Sequence, residues 1–156
     1  LVAEVALVNG LSGPGTVDLV AHSMGGIVSR LALEDADTRG RVRKLITLGT
    51  PHSGTHAARF LATQSALALR PESSLLERLD EQLPWRGPPE WPEATTYWSR
   101  SDVVLLPPEA ARMEAASSPE MEGMTHYGYL LHPDGWRTVY ETLYGTVTKP
   151  TVRLES

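Results

Sequence analysis

An α/β fold, built on a mostly parallel sheet with crossover helices, is what this sequence predicts. Two observations carry that expectation. Short apolar runs recur along the chain with helix-periodic segments between them, and strands joined through helices run parallel. The stretch VDLVAHSMGGIVSRLA, Val17 to Ala32, also switches from strand-like to helical periodicity across a single serine.

The elements follow in order. Leu1 to Val8 reads as the end of a helix, stopped by Asn9-Gly10 and a Gly/Pro loop through Gly15. Thr16 to Ala21 is a short apolar strand. Met24 to Ala36 is a helix with Ile27, Val28 and Leu31 on one side, and Arg39-Gly40 marks its end. Val42 to Leu48 is a second strand. Ala57 to Leu69 and Pro71 to Leu83 read as helices, with Phe60, Leu61, Leu75, Leu76 and Leu79 as packing residues. Pro84 to Pro92 is a loop rich in proline and tryptophan. Thr95 to Ser99 is a third strand, Pro108 to Ala115 a short helix, and Glu120 to Met124 a fourth, short strand. Pro133-Asp134 opens a last helix through Trp136, Val139, Tyr140 and Leu143, which Gly145 stops.

Composition removes several function classes. The 156 residues suit one domain, and a net charge of -5 without a Lys/Arg cluster argues against a nucleic-acid partner. No run approaches the ~18 apolar residues of a membrane-spanning helix. The absence of cysteine excludes disulfides, thiolate zinc sites and a cysteine nucleophile. GLSGPGT lacks the Gly-Lys-Ser/Thr ending of a phosphate cradle and leads into a strand, so it is a plain loop.

The serine in VDLVAHSMGG occupies a strand-turn-helix corner of the nucleophile-elbow kind. So sharp a turn leaves no room for bulky side chains two positions away, where Ala21 and Gly25 stand. It would lift the Ser23 hydroxyl out of the sheet edge and set the Met24 N–H at a helix N-terminus, facing a developing oxyanion. A serine hydroxyl is a weak nucleophile without a histidine to take its proton and a carboxylate to orient that histidine. Asp102 directly follows one predicted strand and His126 another, so both would reach the edge where Ser23 sits.

Other candidates fit these roles less well. The side chain of His22 points away from its neighbour around the turn. His132, beside Pro133, suits a helix cap, as does Asp134. Asp18 lies five residues before Ser23, roughly 16 Å down the strand. Asp35 and Asp37 sit at the far end of the elbow helix. His52 and His56 have the spacing of metal ligands, but Pro51 and Gly54 make a loop of the stretch, and a surface or hydrogen-bonding role fits better.

VDLVAHSMGG, LITLGTPHSGT, SRSDVVLLP and GMTHYGYLL, in that order, resemble the bacterial lipase and esterase branch of the α/β-hydrolase family, from Val17 to about Leu143. The resemblance implies an α/β-hydrolase fold with nucleophile Ser23, acid Asp102, base His126 and a backbone oxyanion donor from Met24. It implies no cofactor and no metal, a small-molecule or lipid ester as substrate, contact with a lipid interface, and a secreted bacterial enzyme. The commoner family form has glycine where this chain has Ala21, and a single methyl keeps the position small. Family members carry several strands before the elbow, and the loop after the third gives a second oxyanion donor. With about twenty residues before Ser23, the chain is expected to be the C-terminal portion of one α/β-hydrolase domain, lacking its N-terminal strands. The segment at about 57–92 is expected to be either a cap or acyl-pocket insertion or simply packed crossover helices. The expected activity is serine carboxylic-ester hydrolysis through an acyl-enzyme. An acyltransferase with the same site and an inactive binding module are the alternatives; the Ser-Asp-His set argues against the second.

Overall fold

The computed structural model describes residues 15–60 and 62–145, together with the backbone of 4–8. Four strands lie side by side: β1 (Glu4–Val8), β2 (Val17–His22), β3 (Val42–Leu48) and β4 (Glu93–Tyr97). β2, β3 and β4 are parallel, with Leu19 opposite Leu45 and Ile46 opposite Thr95. β1 runs antiparallel to β2, with Val5 opposite Ala21. Glu4–Val8 is therefore a strand where the sequence reading expects a helix. The outer edge of β2 offers a row of unpaired N–H and C=O groups, and EVALV satisfies them in extended form. The expected loop over 9–14, and Leu61, lie outside the described residues.

Side chains on a strand alternate between faces, so consecutive apolar residues build two layers. Val20, Ile46, Leu48 and Tyr97 pack with Tyr129, Val139 and Leu143 on one face. Leu19, Leu45 and Ala94 pack with Leu33, Trp85 and Met113 on the other. A third cluster joins Ile27 of the elbow helix to Ala66, Leu69, Leu76 and Leu79 of the connection between β3 and β4.

Except for the last, the helices are shorter than their apolar periodicity suggests. α1 covers Met24–Ala32 and stops there. Asp35 then accepts the Thr38 N–H at 2.8 Å and caps a separate helix, α2 (Ala36–Arg41), which runs through Gly40. Arg39 turns back to donate to the carbonyls of Leu33 and Glu34, covering the exposed end of the first helix. The two helices expected over 57–83 break into short pieces: a 3₁₀ turn at His56–Phe60, α3 (Gln64–Ala68), α4 (Ser74–Glu77) and a π turn at Arg78–Gln82. Thr63 and Ser73 cap α3 and α4, and each restart costs little because the hydroxyl satisfies an N–H at the new N-terminus. Leu76 and Leu79 are buried as expected, whereas Phe60 is 85% exposed.

The expected fourth strand, Glu120 to Met124, is reduced to one isolated parallel bridge, Glu120 with Trp98; another, Ser117 with Thr95, lies ahead of it. Pro119 has no N–H to donate, and Gly123 turns away at φ 73°. Pro108–Ala111 is a 3₁₀ turn, while α5 (Gly128–Leu131) and α6 (Pro133–Tyr144) complete the chain to Gly145. Among the described residues, no helix is long and apolar enough to cross a membrane.

Candidate active site

Ser23 sits between β2 and α1 at φ 54° and ψ -129°, a conformation seldom occupied by a residue with a side chain. Two hydrogen bonds hold it there. Its N–H donates to the Leu48 carbonyl at 2.9 Å, and the buried Thr50 hydroxyl donates to its carbonyl at 2.8 Å. Gly26 leaves no room for a side chain at the turn, since a Cβ there would meet Thr50 Oγ1 at 2.2 Å. The sequence reading names Ala21 and Gly25 but not Gly26, because Thr50 follows another strand and no local pattern announces its contact.

The parallel ladder continues one step past the strands, with the Gly49 N–H donating to the Tyr97 carbonyl at 2.9 Å. The loops leaving β2, β3 and β4 therefore emerge together. Asp102 follows β4 and is fully buried. Its Oδ1 accepts the N–H groups of Val104 (3.1 Å) and Leu105 (3.4 Å), which fixes the carboxylate plane. Its Oδ2 lies 2.8 Å from His126 Nδ1, and His126 Nε2 lies 3.0 Å from Ser23 Oγ. An ionised carboxylate only accepts, so Nδ1 carries the proton and Nε2 presents a lone pair to the serine O–H. The structure thus brings Ser23, Asp102 and His126 into one hydrogen-bonded line. Met24 opens α1, where its N–H has no partner within the helix. Such an arrangement can generate an alkoxide nucleophile and receive a developing oxyanion.

Two supporting residues escaped the sequence reading. His22 Nε2 donates to the His126 carbonyl at 2.8 Å, and the two rings lie 4.7 Å apart, so His22 steadies the loop carrying His126. Gly49, at φ 54°, lets Asp102 and Tyr129 approach: a Cβ there would stand 2.8 Å from Asp102 Oδ2 and 2.8 Å from the Tyr129 ring. Burial, with Asp102 nearby, pushes the Tyr129 phenol well above its ordinary value, so it stays protonated.

The remaining candidates lie elsewhere. His132 accepts the Asp134 N–H and caps α6, with Asp134 in the first turn of that helix. Asp18 is buried on β2 and paired with Arg43. His52 is buried against Thr47 while His56 is exposed, so the two do not converge. Among the described residues, no group of three or more His, Asp or Glu side chains is placed to hold a metal.

The same architecture occurs in solved structures. The mature lipase BlEst2 of Bacillus licheniformis superposes with a TM-score of 0.65 at 18% identity, covering 82% of this chain. The α/β hydrolase MGS-MChE2, from a sediment metagenome of the Mar Chica lagoon in Morocco, matches with a TM-score of 0.53 at 18% identity over 85% of this chain.

The fold is that of the α/β-hydrolases.

The matched region spans 65% of the Bacillus chain and 62% of the metagenomic one. The sequence also matches the PGAP1-like alpha/beta domain over residues 6–68. That stretch of the hydrolase fold contains β2, the Ser23 corner, α1 and β3. No curated protein matches the chain.

Proposed function

We propose that the protein is a serine carboxylic-ester hydrolase, a lipase or esterase, acting through an acyl-enzyme. The observation that carries this reading is the line Asp102–His126–Ser23, closed at 2.8 and 3.0 Å. Ser23 Oγ attacks the ester carbonyl as its proton passes to His126 Nε2. Asp102 stabilises the resulting imidazolium, and the Met24 N–H receives the oxyanion. Collapse expels the alcohol with the proton from His126. Water, deprotonated by the same imidazole, then releases the acid and restores Ser23. No step requires a metal or a cofactor.

The surroundings favour an apolar ester. Val103 and Tyr127, which immediately follow Asp102 and His126, are 80% and 60% exposed, and they form an apolar rim suited to an acyl chain or a lipid interface. The segment at 57–92, packed through Leu76 and Leu79 against α1, serves in this reading as the acyl-side wall next to Met24. The name lipase, borne by the Bacillus structure, agrees with the reading.

Ser23→Ala is expected to abolish labelling by a fluorophosphonate and to cut ester turnover by ~10⁴-fold or more. Near-normal turnover by that variant would sink the proposal. Adding a competing alcohol separates the reactions: free acid as the main product marks a hydrolase, and a new ester an acyltransferase.

A further inference from the structure

A polar cavity of about 270 Å³ collects three buried nitrogens that have no hydrogen-bond partner among the described residues: Arg30 Nη1, His52 Nδ1 and Trp85 Nε1. They come from α1, the loop after β3 and the loop before β4, and the three residues are 3%, 2% and 7% exposed. Arg30 stands seven residues beyond Ser23, about 10 Å along the helix, so this is a place apart from the serine. The other terminal nitrogen of Arg30 donates to the Leu79 carbonyl at 3.2 Å and to Asp80 at 2.9 Å. The second ring nitrogen of His52 lies 3.0 Å from Thr47 Oγ1.

Guanidinium and indole nitrogens can only donate, and folded proteins rarely leave such donors unmatched. Whatever complements them carries acceptors. We propose that the cavity binds a small oxyanion, a carboxylate or a phosphate. Arg30 supplies the charge and the Trp85 N–H a neutral donor. The Thr47 hydroxyl donates to His52 Nε2, leaving Nδ1 protonated as the third donor. Charged donors to an oxyanion form strong hydrogen bonds, and burial strengthens them further. At the mouth, exposed Arg112 adds a second guanidinium, while Asp80, already paired with Arg30, and exposed Glu114 disfavour multiply charged ligands.

The test titrates the full chain with acetate and, separately, with inorganic phosphate at constant ionic strength set by chloride. Calorimetry and the Trp85 indole N–H resonance report binding. Saturable millimolar binding that shifts this resonance is expected, and the anion that saturates identifies the ligand as carboxylate or phosphate. Trp85→Phe keeps a ring but removes a donor, and should weaken binding at least fivefold. Arg112→Gln, at an exposed position that folding tolerates, should weaken it about threefold. Absence of saturation by either anion, or affinity unchanged in both variants, overturns the proposal and assigns the cavity to ordered water.

Discussion

Ser23 is held at φ 54° by two partners from the end of β3, Leu48 and Thr50. Backbone strain of this kind costs on the order of 1–3 kcal/mol and persists only where the surroundings over-determine it. His126 depends on its neighbours in the same way, with Asp102 on one nitrogen and the loop carbonyl tied to His22. In the proposed reaction His126→Ala is as damaging as Ser23→Ala, since the two act as a unit, while His132→Ala retains most activity. Steady-state kinetics of the two variants decide it, and the reverse ranking would move the base to His132. A second residue-scale effect concerns acid stability. Burial, followed by the charge of Arg30, lowers His52 from 6.5 to about 3. The unfolded chain takes up this proton near its ordinary value and the folded chain does not, so the unfolded state binds more protons across the interval. Stability therefore falls as the pH drops from 6.5 towards 3, by about 1.4 kcal/mol per pH unit from this group. Urea unfolding of His52→Asn at several pH values should show a shallower acid loss than the parent; parallel profiles would exclude His52 as the source.

At the level of elements, strand cores were easier to read than helix lengths. β3 matches its expected range, Val42–Leu48, and β2 and β4 lie within two residues of theirs. Their apolar runs are buried on both faces, so each residue reports the same environment. The segment at 57–83 was misjudged because its leucines suit a long helix, while Thr63 and Ser73 allow it to stop and restart. The broken segment places Ala66, Leu69, Leu76 and Leu79 in one cluster with Ile27 of α1. Leu76→Ala would leave a cavity in that cluster and is expected to destabilise the fold by about 2–5 kcal/mol, measured by chemical denaturation. A change below about 0.5 kcal/mol would mean that the site collapses without loss or that the cluster contributes little.

Across the whole molecule, the parallel strands discharge their C-terminal loops onto one edge, and the exposed apolar side chains Val103 and Tyr127 stand beside the residues gathered there. If this rim meets the acyl chain, the double variant Val103→Ser, Tyr127→Ser should lower kcat/KM for long-chain esters relative to acetyl esters by about tenfold, since each lost apolar contact weakens binding of the longer chain. An unchanged ratio in a folded variant would separate the rim from substrate recognition.

The elbow, the order Ser23, Asp102, His126 and the parallel α/β class were all legible in the chain by itself. Small residues around a turning serine and apolar runs ending in polar corners are local consequences of sterics and burial. Tertiary structure decided what local windows do not contain. Contacts separated by 24 and 103 positions set the two hydrogen bonds of His126, and Thr50 leaves no room for a side chain at Gly26. An open sheet edge drew Glu4–Val8 into a strand, and Pro119 with Gly123 held the segment at 120–124 to a single bridge at Trp98. For His126, Gly26 and Glu4–Val8 the deciding term is a hydrogen bond or a close packing contact with a distant part of the chain. Such terms outweigh intrinsic propensities of a few tenths of a kcal/mol per residue, to about 0.7 for ordinary residues.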